Sequence, residues 1–254
     1  IMISTGYYAE TVQVGYTMTF SVDSVQVDQL TMNKSGITLT VDGNSAPKTF
    51  NVKTKITLTD GLVQVGSNLL AFRALSGCTF TGGGTTSFID GALHIGLTNG
   101  STSLTFPVGA GSDYRPVGLS FSKGNGNLTY YVFQMFKGKA TGNGSLPTGI
   151  RNYSAVNYFV GATVPNNASN SSNFVVTLKY DSISTDDGVY ENSTLRILGY
   201  TATATWKDHG GTGSVIRKGQ ITTATTSMST LGTFALGNTI VLTATERKTG
   251  LNIL

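Results

Sequence analysis

Between about residue 21 and residue 97, short β-prone runs alternate with turn signals such as Asp-Gly and Gly-Gly-Gly. The runs are two to five residues long and rich in β-branched and aromatic side chains, which fit a pleated surface. They lie at residues 30–32, 37–41, 50–52, 56–58, 62–65, 69–72, 78–80, 88–89 and 93–95. Such short strands are marginal as isolated hairpins but suit the stacked rungs of a β-solenoid. The rhythm therefore favours a parallel β-helix, with a meander of hairpins as the alternative, because Asp-Gly also favours hairpin turns.

From residue 103 onward the β-prone runs become longer and are separated by polar loops. They lie at residues 104–106, 117–121, 128–136, 155–160, 173–180, 194–200, 204–206, 219–222, 233–236 and 239–245. Longer strands with regular turn signals are typical of an Ig-like or jelly-roll sandwich. The predicted fold is therefore all-β, with a β-solenoid-like part at 1–102 and a β-sandwich at 103–254.

Charge and hydropathy exclude several classes of protein. Charged residues make up 12% of the chain, and its 17 Lys and Arg residues are scattered rather than gathered with aromatics, so we expect no nucleic-acid partner. No apolar run approaches the roughly 18 to 20 residues that cross a bilayer, so we expect no membrane span. The first residue is Ile1 rather than Met, from which we expect a processed form or a fragment.

The chain offers few candidates for catalysis. Cys78 is the only cysteine and has no base linked to it by a sequence motif, and His94 lies between the apolar Leu93 and Ile95. His209 lies in a Lys-Asp-His-Gly-Gly turn. We therefore predict a protein that is not an enzyme, with a polysaccharide-degrading enzyme as an alternative.

Two groups of residues are candidate binding sites. Asp181, Asp186, Asp187 and Glu191 could supply the oxygen ligands that Ca²⁺ requires, although their spacing does not match an EF-hand loop and a solvated acidic turn is the alternative. Arg115 could bind a carboxylate or a sugar, or it could tie backbone carbonyls or Asp113 at a corner between the two parts. We predict no cofactor, with Ca²⁺ as the alternative.

Several short motifs follow one another along the chain: Gly91-Ala-Leu93, Thr105-Phe-Pro-Val-Gly109, Tyr114-Arg-Pro-Val117, Asp186-Asp-Gly188, Leu195-Arg-Ile197, Trp206 and Phe234-Ala-Leu-Gly237. In this order and spacing the set resembles secreted surface proteins of Bacteroidota, of the kind exported by the type IX system. The resemblance implies β-helical rungs that lead through the "FPVG…YRPV" stretch into a sandwich. It also implies an extracellular or cell-surface location and a non-catalytic role.

These observations favour a structural or adhesive module of a surface adhesin, fibre or filament. Its expected partners are neighbouring copies or domains of the same surface protein, and surface glycans. The apolar segments Met2-Ile3 with Tyr7-Tyr8 and Thr239-Ile-Val-Leu242 have no obvious partner in the sequence, which suggests strand addition between copies. The alternative function is a carbohydrate-binding module, with surface tyrosines or the acidic loop and Ca²⁺ as its site.

Overall fold

The computed structural model describes residues 2–4, 16–43, 47–97, 102–121, 130–141, 144–164, 174–181, 195–201, 205–213, 218–224, 228 and 230–239. All regular structure in these ranges is β, which confirms the all-β prediction. Since the described residues form no helix, they include none that could cross a bilayer.

The first part of the chain is a parallel β-solenoid of about three turns. Its strands are β1 (Met2–Ser4), β2 (Tyr16–Phe20), β3 (Ser24–Gly43), β4 (Lys48–Val65), β5 (Leu69–Ala74), β6 (Thr79–Gly82), β7 (Ile89–Asp90) and β8 (Leu93–Gly96). The strands β3 and β4 pair in parallel, as do β4 with β5, β6 and β7 and β5 with β8. The predicted solenoid is thus confirmed, and the alternative meander of antiparallel hairpins is wrong.

Each coil contributes segments to three stacked faces. We call face A the stack of residues 24–27, 49–52, 71–74 and 93–95, and face B the stack of residues 29–32, 55–58 and 79–82. Face C is the stack of residues 39–41, 63–65, 89–90 and 108–109. The long strands β3 and β4 run through all three faces. Their pairing shifts register at two corners, between Val27 and Gln29, where no turn signal is predicted, and at the predicted Asp60-Gly61 signal.

Side chains that alternate inward along each face stack into apolar columns. Phe50 and Phe72 on face A are fully buried, with ring centroids 5.4 Å apart. Apolar residues are also paired on successive coils of the other faces, as Leu30–Ile56–Phe80 on face B and Leu39–Val63–Ile89–Val108 on face C. Apolar residues therefore stack on apolar residues through the interior of the solenoid.

Hydroxyl groups and glycines shape the corners between faces. The Thr54 hydroxyl donates to the Asp28 carbonyl at 2.8 Å, and the Ser87 hydroxyl donates to the Gly61 carbonyl at 2.8 Å. Gly82 has φ of +82°, and a Cβ placed there would lie 2.2 Å from the Leu58 carbonyl oxygen. This close approach of two coils explains why glycine is required at position 82.

The second part consists of strands that pair antiparallel with one another, most of them in two sheets. They are β9 (Ser103–Phe106), β10 (Val108–Ala110), β11 (Asp113–Tyr114), β12 (Val117–Phe121), β13 (Tyr130–Lys137), β14 (Ile150–Tyr153), β15 (Asn157–Val164), β16 (Phe174–Asp181), β17 (Leu195–Tyr200), β18 (Lys207–Asp208), β19 (Thr212–Gly213), β20 (Lys218–Thr222) and β21 (Thr233–Thr239). One sheet has the order β19-β20-β16-β12-β9. The other has the order β13-β15-β21-β17-β18 and continues directly from face A, because β13 pairs antiparallel with β8.

Aromatic side chains join the two sheets of the second part. The Tyr131 ring lies 5.2 Å from Phe121 and 5.5 Å from Phe174, and Phe106 lies 4.9 Å from Phe133. These side chains belong to the same apolar cluster as the interior of the solenoid. The predicted boundary after residue 102 falls between β8 and β9. One sheet and one apolar core continue across this point, and the division into two domains stays a prediction. The Ig-like or jelly-roll assignment also stays a prediction.

One premise of the strand-addition hypothesis is wrong. Met2-Ile3 does have a partner within the chain, because β1 pairs antiparallel with β3, with Met2 opposite Thr31 and Ser4 opposite Gln29. Tyr7, Tyr8 and the segment 240–242 lie outside the described residues.

Substituting alanine for Gly82 should destabilise the solenoid much more than the same change at Gly36. Both glycines have positive φ, so both changes impose backbone strain of about 1–3 kcal/mol. Only Gly82 also faces a carbonyl, because no atom lies within 4 Å of a Cβ at Gly36. Urea denaturation should show a loss at least about 2 kcal/mol larger for Gly82→Ala. Equal losses would contradict the close packing of coils at this corner.

Candidate functional site

The stretch 103–121 forms a bent hairpin that belongs to both parts of the protein, and we call it the junction hairpin. Its base, β9 with β12, lies in the five-stranded sheet, where Phe106 is opposite Val117. Its tip, β10 with β11, leaves that sheet and joins the solenoid, because β10 pairs in parallel with β7 on face C. The "FPVG…YRPV" stretch is therefore the physical connection between solenoid and sheets.

Contacts at the tip fasten the junction hairpin to the solenoid. The Tyr114 ring stacks on the buried Phe88 ring with centroids 5.9 Å apart, and the Gly111 amide donates to Asp90 Oδ2 at 3.0 Å. The Asp113 carboxylate makes an ion pair with Lys137 on β13. These contacts fix the tip of the hairpin both to face C and to β13.

Arg115 lies at the bend of the junction hairpin and is only 5% exposed. Its Nη1 donates to the Tyr114 carbonyl at 3.1 Å and its Nη2 to the Asp181 carbonyl at 3.5 Å. The predicted structural role of Arg115, a guanidinium tied to backbone carbonyls at a corner, is thus confirmed. The second of these bonds links the hairpin to the end of β16.

An open cavity of about 420 Å³ lies where the junction hairpin meets the solenoid and the five-stranded sheet. We call it the junction groove. Its walls come from one solenoid residue, the bend of the hairpin and the facing ends of two strands: Thr85; Tyr114, Arg115 and Pro116; Lys179, Tyr180 and Asp181 on β16; and Gly219 and Gln220 on β20. Arg115 and Asp181, which belong to separate candidate sites in the sequence, line this one groove.

The two tyrosines of the junction groove are held as neutral phenols. Burial raises the pKa of both Tyr114 and Tyr180 above the usual range, so both hydroxyls keep their protons at neutral pH. A Cβ at position 219 would lie 2.5 Å from Tyr180 Oη, so Gly219 makes room for this hydroxyl. The groove thus combines phenol groups with charged and amide side chains.

Sequence reasoning missed Lys179 and Gln220. They are direct cross-strand partners on β16 and β20, and both are exposed. Neither belongs to a motif, so only the pairing of the two strands could have revealed them.

The predicted calcium ligands are described only in part. Asp181 ends β16 at the junction groove, whereas Asp186, Asp187 and Glu191 lie outside the described residues. No group of three His, Cys, Asp or Glu side chains that could hold a metal ion occurs in the described part of the chain. The Ca²⁺ site stays a prediction.

The candidate catalytic side chains are separate from one another and from the junction groove. His94 is buried on face A opposite Arg73, and burial, helped by the Arg73 charge, lowers its pKa to about 4. Burial raises the pKa of the Cys78 thiol to about 11, so it stays protonated at neutral pH. His209 lines a second cavity of about 260 Å³ with Tyr200, Lys207 and Thr230. The absence of enzymatic activity stays a prediction.

No known protein family, no curated protein and no solved structure matches this chain. The resemblance to Bacteroidota surface proteins therefore stays an expectation from the motifs.

Replacing Arg115 with methionine should destabilise the protein by about 2–3 kcal/mol, because buried carbonyls lose charged donors while the apolar bulk is largely kept. The control is Lys53→Met, which removes a cation at an exposed position and should change the free energy of unfolding by less than about 0.5 kcal/mol. Denaturant unfolding of each variant measures both changes in the free energy of unfolding. A similarly small loss at Arg115 would contradict its role at the bend.

His94 should make the protein less stable as the pH falls from 7 to 5. Its folded pKa of about 4 lies below the ordinary value of 6.5, so the unfolded chain takes up the proton first. The stability contribution is complete above pH 6.5 and is lost as the pH falls toward 4, with about 2 kcal/mol lost by pH 5. Denaturant unfolding across this range should show the loss in the native chain, and His94→Gln should remove most of it. Burial also lowers the pKa of His209, so His209→Gln should remove a smaller part of the loss, and equal effects of the two variants would contradict the assignment to His94.

Proposed function

We propose that this protein is a non-enzymatic structural or adhesive module of a bacterial surface protein located outside the cell. The observation that carries the proposal is the continuity of one sheet from face A of the solenoid through β8 into β13 and β15. A single apolar core runs along the same path. Two parts that share a sheet and a core resist bending at their junction, as a spacer or fibre unit requires. The motifs shared with Bacteroidota surface proteins support the extracellular location.

The outer surface of the solenoid suits repeated weak contacts. On face B, Thr31, Thr57 and Thr81 follow one another in register on successive coils, and none of them is buried. Stacked rungs repeat about every 4.8 Å, so each coil presents the same polar groups at a fixed interval. Such a surface gains strength from repetition rather than from one deep pocket.

The strand β1 offers a route to self-assembly. It is short, it pairs at the edge of face B, and 11 residues separate it from β2. In a neighbouring copy the same three residues could pair with Gln29–Thr31, which would exchange one strand between copies at little cost. We therefore place the proposed strand addition at β1, as an exchange rather than as the pairing of a segment without a partner.

A reversible cross-link can test this assembly. Ser4→Cys with Gln29→Cys places two cysteines at paired positions of β1 and β3. Once oxidised within one chain, they should hold β1 in its own copy. Negative-stain electron microscopy at micromolar concentration should show filaments or head-to-tail chains for the native and reduced proteins, and dispersed particles for the oxidised protein.

The reduced form of the same variant is the control for the two substitutions. Filaments that persist after oxidation would contradict strand exchange through β1. Dispersed particles under every condition would contradict self-assembly altogether.

A further inference from the structure

The junction groove has the composition of a site for a ligand rich in hydroxyl groups, and we infer that it binds a short neutral glycan. The inference goes beyond the structural role proposed above and does not depend on it. A site at the meeting of two substructures, with a volume of about 420 Å³, falls within the usual range of roughly 300–1,000 Å³ for small-ligand pockets.

The polar side of the groove offers both donors and acceptors. Lys179 and Gln220 lie directly opposite each other on β16 and β20, so both side chains lie on the same face of the sheet. The hydroxyl of Thr85 is on the solenoid side of the same groove. A sugar hydroxyl both donates and accepts, and an amide next to an ammonium satisfies both needs.

The apolar side of the groove is provided by Tyr114 and Pro116. The face of a sugar ring that carries C–H groups is apolar, and an aromatic ring with a polar tip suits it. Tyr114 is held in place by its stacking on Phe88, and a Cβ at Gly83 would lie 3.1 Å from its hydroxyl. Since the ring is already fixed, binding costs little ordering of side chains.

The charges of the groove favour a neutral ligand. The Lys179 ammonium is exposed, while the Arg115 guanidinium is buried and donates to two carbonyls. The half-buried Asp181 carboxylate lies on the same strand as Lys179, two residues away. The charges of Lys179 and Asp181 offset each other at the rim of the groove, which suits a ligand that carries no charge.

A longer glycan could extend over the outer face of the five-stranded sheet. On this face, Thr177 and Thr222 are paired next to Lys179 and Gln220, with their hydroxyl oxygens 2.9 Å apart. Gly118 lies opposite Thr177 on the next strand and presents no side chain there. The face is therefore shallow and carries hydroxyl groups.

The test is a titration of the whole ¹⁵N-labelled chain with cellobiose, maltose, lactose and N,N′-diacetylchitobiose, followed by NMR. At least one of these should shift the amide signals of Tyr114, Lys179 and Gln220 at up to about 10 mM, which would saturate a millimolar site. No shift with any of the four, or shifts confined to other surfaces, would overturn the inference.

Variants then assign the binding to the groove. Gln220→Ala and Lys179→Ala should each weaken binding at least about fivefold, the range expected for one lost hydrogen bond. The control is Gln64→Ala, since Gln64 is also exposed on a strand but lies on face C. Equal weakening by Gln64→Ala would overturn the site. Tighter binding of digalacturonate than of all four neutral sugars would overturn the neutral ligand class.

Discussion

The parallel, in-register stacking of coils is the interaction on which the rest of this structure depends. It satisfies the backbone groups of each coil with those of the next and at the same time places like side chains above one another, as with Phe50 on Phe72. Neither effect is available to a single coil, since its segments are too short to bury an apolar face alone. The stack also presents β8 as a straight edge on which the antiparallel strands of the second part can continue.

The junction hairpin converts one type of sheet into the other. Its base follows the antiparallel sheet while its tip runs parallel to β7, so one hairpin belongs to both patterns of hydrogen bonding. The bend between them exposes backbone carbonyls to the interior, and the buried Arg115 satisfies the Tyr114 carbonyl from there. The junction groove is a consequence of the same bend, because strands that turn away from their sheet leave space at its edge.

Short strands and turns could be predicted from the sequence, whereas most pairings between distant strands could not. The runs at 56–58 and 62–65 and the Asp60-Gly61 turn between them are predicted correctly, because alternation and turn chemistry are written in neighbouring residues. The structure nevertheless joins both runs in the single strand β4, since pairing with β3 carries the ladder around the corner. Arg115 is predicted to be structural from its setting, but the Asp181 carbonyl that it binds comes from a distant strand. The pairing of Lys179 with Gln220 has no local signal at all, which is why the groove could not be predicted.

The change from parallel to antiparallel pairing at β8 gives the molecule a direction. A further coil needs a parallel edge on every face, and β13 runs the opposite way along face A while the tip of the junction hairpin occupies face C. The stack is thus terminated on the side of the second part, in the way that a capping repeat ends other solenoids. On the other side of the stack, β1 already pairs antiparallel with β3 on face B. A change in the number of coils during evolution therefore has to occur between β1 and this cap, so the length of the rod can vary while both of its ends stay constant.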